Sequence, residues 1–189
     1  MPHSVLAVLV ALFLVSCGPP PPPVTYSEVT GHLDFSPYRG GDYLRGIKYL
    51  KRNDFEAALR LLGPPAAYGD EAAQYEIGMM VLDGQGIEKN PEEAIYWLTK
   101  SANDGYEIAQ FELGQMYRAG IHMDADLDQA VEWYVKAAQQ GHSVARYDLF
   151  EIYYNGEGRS PDVIEALDWL HQSSRSGFSV AQHRLGVFF

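Results

Sequence analysis

The sequence predicts an all-α protein, a right-handed α-solenoid of stacked antiparallel helical hairpins, and three observations predict it. Trp97, Trp133 and Trp169 stand 36 residues apart. The same step carries Ala73 to Ala109, Ala145 and Ala181, and Gly69 to Gly105, Gly141 and Gly177, with no insertion between. Between these markers apolar residues recur at three- and four-residue steps, the spacing of one helix face. A period of this size belongs to helical-hairpin arrays. One such hairpin buries too little apolar surface to offset the entropy of ordering it, so the units hold only when stacked.

At the amino end, Val5 to Val15 is an unbroken apolar run, too short to span a bilayer at about 1.5 Å per residue. It leads directly into Leu14-Val15-Ser16-Cys17, and Cys17 is the only cysteine of the chain, so its thiol has no disulfide partner. Met1 to Ser4 carry no Lys or Arg. Pro19 to Pro23 follow, and residues 24–41 lack periodicity and carry Gly31, Pro37, Gly40 and Gly41. Residues 1–16 therefore read as a leader and 17–41 as a Pro-rich linker.

Asp42 to Leu62 reads as a short hairpin turning at Asn53-Asp54 and closed by Gly63-Pro64-Pro65. One step of 36 relates Ala58 to Ala94 and Gly69 to Gly105, so residues 42–70 form a degenerate capping unit. Residues 71–189 hold three full units and one partial unit, and nine helices are expected in all.

Within each full unit the first helix buries one stripe, as in Ala73, Ile77, Met80 and Val81 or Ala109, Leu113, Met116 and Tyr117. Glycine-bearing breaks follow at Gly84 and Gly86, Gly120, and Gly156 and Gly158, residues suited to terminating a helix. Asn90, Asp126 and Asp162 stand in register where a short acceptor caps the second helix, and Pro91 suits its first position. Ala94, Ile95, Trp97 and Leu98, with their equivalents Ala130, Val131, Trp133, Tyr134 and Ala166, Leu167, Trp169, Leu170, form its buried stripe. Gly78, Gly114, Gly186, Ala102 and Ala138 allow close helix crossings. Phe150 takes the glycine place in the third unit, so a local irregularity is expected there.

The pattern formed by Ala73, Tyr75, Ile77, Gly78, Gly84, Gly86, Ala94, Trp97 and Gly105, repeated at Ala109, Phe111, Leu113, Gly114, Gly120, Ala130, Trp133, Ala137, Ala138 and Gly141, resembles the Sel-one-like repeat of the tetratricopeptide superfamily. The likeness covers residues 71–189 and departs from the pattern at His122, where a glycine is expected, and at Phe150. The degenerate unit at 42–70 is closer to a plain tetratricopeptide hairpin. Leu14 to Cys17 resembles a bacterial lipobox, which implies that Cys17 is lipidated after cleavage. Polyproline at about 3.1 Å per residue would then hold the domain roughly 15 Å from the lipid. Gly18 is not the aspartate that resembles an inner-membrane retention signal, so the resemblance implies an outer-membrane lipoprotein facing the periplasm.

A net charge of −11 argues against nucleic acid and anionic headgroups as partners. No cluster of Lys or Arg occurs, so membrane attachment has to come through Cys17. No metal or other cofactor is expected. The six histidines include no pair at i, i+4, and His142 falls in register with Tyr106 and Phe178 as a packed turn residue. Asp124, Asp126 and Asp128 lack the glycine and terminal glutamate of a calcium loop. Cysteine-rich relatives of this repeat carry β-lactamase names, which makes a helical-repeat hydrolase the alternative reading. The repeats here hold no cysteine and the chain no Ser-x-x-Lys, so the expectation is that the protein is not an enzyme.

The expected function is that of an envelope-tethered adaptor whose concave face, built from the first helix of each unit, binds protein partners. Tyr75, Phe111, Tyr147 and His183 share that face, the three aromatics as packing residues of the repeat. Met79, Gln115, Arg118, Glu151 and Tyr154 vary between units and are the candidate specificity residues. Phe189 falls on Tyr153 by register, so the sequence stops before a covering helix, through truncation or because a partner or a second copy covers Leu185, Phe188 and Phe189.

Overall fold

The computed structural model describes residues 41–158 and 160–188, and the described residues form nine α-helices and no strand. They are α1 (Asp42–Leu50), α2 (Phe55–Ala67), α3 (Glu71–Asp83), α4 (Pro91–Asn103), α5 (Glu107–Ala119), α6 (Leu127–Gln139), α7 (Ser143–Asn155), α8 (Val163–Arg175) and α9 (Ser179–Phe188). The fold is an all-α helical-repeat array. The leader, Cys17 and nearly all of the linker lie outside the described residues.

The chain divides into two compact units, one ending at Ile95 and the other beginning at Tyr96, with the boundary inside α4. In the amino unit α1 packs on α2 and α2 on α3. In the carboxyl unit α5 through α9 pack each on the next.

Alanine, rather than tryptophan, marks the centre of the core. Ala73, Ala109, Ala145 and Ala181 are fully buried, as are Ala58, Ala94, Ala130 and Ala166. Trp97 and Trp169 are only half-buried, and the buried Trp133 has the Lys136 ammonium 3.6 Å from its ring centroid. Small side chains let the backbones approach. A Cβ on Gly114 would stand 2.6 Å from Tyr134 Cδ1, and one on Gly46 would stand 2.6 Å from Leu62 Cγ. Gly186 has nothing of the kind within 4 Å.

The expected caps form. Asp126 Oδ1 accepts from Gln129 N at 3.0 Å, Asp162 Oδ1 from Glu165 N at 3.0 Å and Asn90 Oδ1 from Glu93 N at 3.2 Å. Asp54, one step of 36 upstream, does the same for Ala57 N. Each such cap contributes about 1 kcal/mol. The first helices end on left-handed glycines, Gly84, Gly120 and Gly156, whose amides donate to the carbonyls of Met80, Met116 and Ile152. His122 keeps φ at 60° although it is not glycine, so the repeat holds its loop shape at the expense of local strain.

Two expectations fail. Gly63-Pro64-Pro65 does not close the first hairpin, because α2 runs through both prolines to Ala67. Each proline removes a donor and crowds the preceding turn. The helix must nevertheless reach Ala66, which is buried and stands in register with Ala102 and Ala138. The carbonyls of these three residues receive side-chain bonds from Gln74 Nε2 (3.2 Å), Gln110 Nε2 (3.0 Å) and Arg146 Nε (2.9 Å), and Gln182 Nε2 bonds Ser174 O likewise. Each bond is a second one to a carbonyl that already accepts the amide of the turn glycine, Gly69, Gly105, Gly141 or Gly177, and so uses its other lone pair. The second failed expectation is the irregularity at Phe150. The helices α7 and α8 repeat the lengths and spacing of α5 and α6 residue for residue. Phe150 is fully buried with Ala166, Leu170 and Ala181, and Leu170 stands where Tyr134 stands one unit earlier. The smaller Leu170 in place of a tyrosine offsets part of the volume that the Phe150 ring adds.

Candidate functional site

The candidate residues sit on the first helices of the units, Met79 on α3, Gln115 and Arg118 on α5, and Glu151 and Tyr154 on α7. Met79, Gln115 and Glu151 occupy one register position, and Arg118 and Tyr154 another, because 36 residues make a whole hairpin. Gln115 is exposed and the other four are half-buried.

In the carboxyl unit most of these side chains are engaged within the chain. The Arg118 guanidinium grips Glu157 through Nε (3.1 Å) and a terminal nitrogen (2.7 Å), and its other terminal nitrogen lies 3.5 Å from Asp148. Glu151 accepts the Tyr147 hydroxyl at 3.0 Å. Tyr154 lies tilted against Phe150, with ring centroids 5.3 Å apart, and meets Phe188 edge-on. The structure thus brings Arg118 to Asp148 and Glu157, two residues the sequence did not single out, and joins Glu151 to Tyr147. The α7–α8 loop is tied to α5 by the two-pronged pair, whose geometry holds a planar guanidinium firmly.

Electrostatics at this network follow burial. Asp148 is pushed up to about 6, first because it is buried and next despite Arg118, with Glu151 and Glu157 adding repulsion. Burial outweighs the ion pair here because Arg118 gives its short bonds to Glu157. Burial also raises Tyr134, which Asp148 reinforces. Burial works to lower Arg118, but the hydrogen bond and charge of Glu157 outweigh it and the guanidinium is held more firmly protonated. His142 takes two roles where one was expected. It stacks on Phe111 with centroids 4.4 Å apart, and its Nδ1 accepts from Ala145 N at 3.1 Å to cap α7. Burial lowers its pKa, against a smaller pull from Glu107.

The amino unit presents an open concavity on the same helix faces. A cleft of about 460 Å³ lies where the α1–α2 turn meets α3, with Met79 in its wall beside Leu50, Phe55 and Tyr75. Glu76 enters it half-buried, and burial raises its pKa against the attraction of Lys51. Asp83 and Gln85 line the rim, the Gln85 amide donating to Asp83 at 3.3 Å. The cleft is fixed from behind by Gly86, since a Cβ there would stand 2.4 Å from Phe55 Cβ.

Among the described residues no group of His, Cys, Asp and Glu could hold a metal ion, and no helix is long and apolar enough to cross a membrane.

The family model described as Sel1 repeat matches residues 38–63, 71–106, 108–142 and 143–178. Among curated proteins nothing matches. Similar solved structures include the following two. One is a Sel1 repeat protein from Oxalobacter formigenes, 34% identical with a TM-score of 0.71, covering 80% of this chain and 60% of that one. The other is c5321, a protective antigen present in uropathogenic Escherichia coli strains that displays an SLR fold, 25% identical with a TM-score of 0.72, covering 80% of this chain and 33% of that one. The chain therefore spans less than two thirds of either structure's length.

Proposed function

The chain belongs to the Sel1 repeat family, whose members are helical-repeat scaffolds that mediate protein interactions, and on that premise we propose that it is a tethered adaptor of the bacterial cell envelope. The first-helix faces bind protein partners, and Met79, Gln115, Arg118, Glu151 and Tyr154 set which partner. The observation that carries this reading lies within the repeats themselves. The alanine columns are fixed from unit to unit and fully buried, while the register position at Met79, Gln115 and Glu151 carries a thioether, an amide and a carboxylate. A face that only filled space would have no need to change its chemistry at each step.

Lipidation at Cys17 supplies the tether, with the domain on the periplasmic side of the outer membrane. The supporting features are the apolar run, the Leu14 to Cys17 tetrapeptide and the lone cysteine. Val187 and Phe188 stand 69% and 37% exposed on α9, and this face pairs two copies of the chain. No catalytic or cofactor role is part of the reading.

The test is a crosslinked pull-down of the full-length protein from its native envelope fraction beside a Cys17→Ala variant. Defined envelope proteins recovered with the first and lost with the second are the expected result. A solitary protein, soluble with or without Cys17, would remove both the anchor and the adaptor. Aspartate at Phe188 should abolish self-association in sedimentation velocity; a parent chain that is already monomeric sinks that part of the reading.

A further inference from the structure

The two units use equivalent positions in opposite ways. Gly46 and Gly114 are counterparts, each so close to the facing helix that a Cβ would stand 2.6 Å from Leu62 or Tyr134. Laid glycine on glycine, Leu50 takes the place of Arg118. Two steps of 36 lay Glu76 on Asp148 and Gln85 on Glu157. In the carboxyl unit a guanidinium bridges Asp148 and Glu157. In the amino unit the counterparts Leu50, Glu76 and Gln85 line the cleft of about 460 Å³, and the arginine has been replaced by a shorter apolar side chain.

We propose that this cleft binds an arginine side chain presented by a partner polypeptide, which supplies between Leu50, Glu76 and Gln85 the guanidinium that Arg118 supplies internally in the carboxyl unit. The chemistry is complementary at each end. Glu76 and Asp83 are carboxylate acceptors at the inner and outer parts of the cleft, and the Gln85 carbonyl is a neutral one. Leu50 and Met79 offer apolar surface to the arginine stem. Glu76 makes no hydrogen bond or ion pair in the described structure, and its one charged attraction is to Lys51 at the cleft edge, so an incoming guanidinium displaces no internal salt bridge from it. The net charge of −11 favours the approach of a cationic partner. This inference rests on the scaffold reading and names the chemistry of its partner.

The probe is a blocked glycine–serine peptide with one central arginine, titrated into the isotopically labelled protein and followed by backbone amide shifts. Its control carries citrulline, which has the same shape without the charge. The arginine peptide should move the amides of Glu76, Met79 and Gln85 along a saturating curve, and the citrulline peptide should leave them in place. Glu76→Gln should weaken binding about tenfold, whereas Asp124→Asn, on an exposed loop elsewhere, should not. Leu50→Arg should install an internal guanidinium, abolish the shifts and raise the melting temperature. Equal shifts with both peptides, no shifts with either, shifts spread over all acidic surfaces, or a Leu50→Arg protein that is folded and still binds would each overturn the proposal. The pull-down with Cys17→Ala reads tethering and partner capture independently, so failure of the cleft and failure of the scaffold reading give different results.

Discussion

The amino unit around Glu76 and the carboxyl unit around Asp148 share a backbone plan and differ in what fills it. In the carboxyl unit Arg118 closes the space by gripping Glu157 and approaching Asp148. In the amino unit the counterpart is Leu50, and a cleft stands open beside Glu76. The repeat thus keeps its backbone plan while the side chains between the shared positions change. Buried alanines, caps and left-handed glycines set the hairpin, and one residue on the first helix decides whether a half-buried carboxylate is answered from inside the chain.

The sharpest way to break this comparison is through the loops that hold the two sites. Gly86→Ala combines a left-handed φ of 72° with a Cβ 2.4 Å from Phe55 Cβ and 3.4 Å from its backbone carbonyl carbon, atoms that cannot swing away. It should cost about 3 kcal/mol in urea unfolding. Gly158→Ala meets the end of Leu127, at Cδ2, and should cost about half as much. Equal costs would show that the glycine at the cleft has no special fit.

Arg118→Leu would give the carboxyl unit the side chain of the amino unit. It leaves Asp148 and Glu157 without their cation and should destabilise by about 2 kcal/mol, since the arginine is only partly buried. No loss of stability would mean that the pairing does not close the site. A smaller effect is expected at Asp148. Its carboxyl titrates near 6 when folded against 3.8 when free. Stability from its protonated form is therefore complete below about pH 3.8 and lost as pH rises through about 6. Asp148→Asn should flatten that part of the profile by on the order of 1–2 kcal/mol, and an unchanged profile would contradict the burial argument. Smallest is His122→Gly, which should add about 1 kcal/mol by relieving a non-glycine φ of 60°; a loss instead would show that the histidine makes a contact worth more than the strain.

What could be read from the sequence was what repeats. Ala73, Ala109, Ala145 and Ala181, the caps at Asn90, Asp126 and Asp162, and the turn glycines fall at one interval, and the structure keeps each in its place. The side-chain bonds from Gln74, Gln110, Arg146 and Gln182 to helix ends repeat as faithfully. They went unseen because an amide or guanidinium at a buried position gives no apolar signal, although the step of 36 between them was there to find. The site was less legible. Arg118 and Glu157 stand 39 residues apart and occur once, so no periodicity announces them. The cleft depends on Leu50 lying opposite Glu76, and α1 is joined to α2 by a shorter turn than the later hairpins have, which breaks the register that would have aligned Leu50 with Arg118. Pro64 and Pro65 misled for a related reason, because the need to deliver Ala66 outweighs a local propensity to stop.

The most direct test of the account places a photo-crosslinking amino acid at single positions of the full-length protein in its native cell. Met79 and Gln115 lie on first helices, and Ile164, 86% exposed, lies on a second helix. Discrete crosslinked partners are expected from Met79 and Gln115 and none from Ile164. Partners captured from Ile164 with none from the first-helix positions would contradict it.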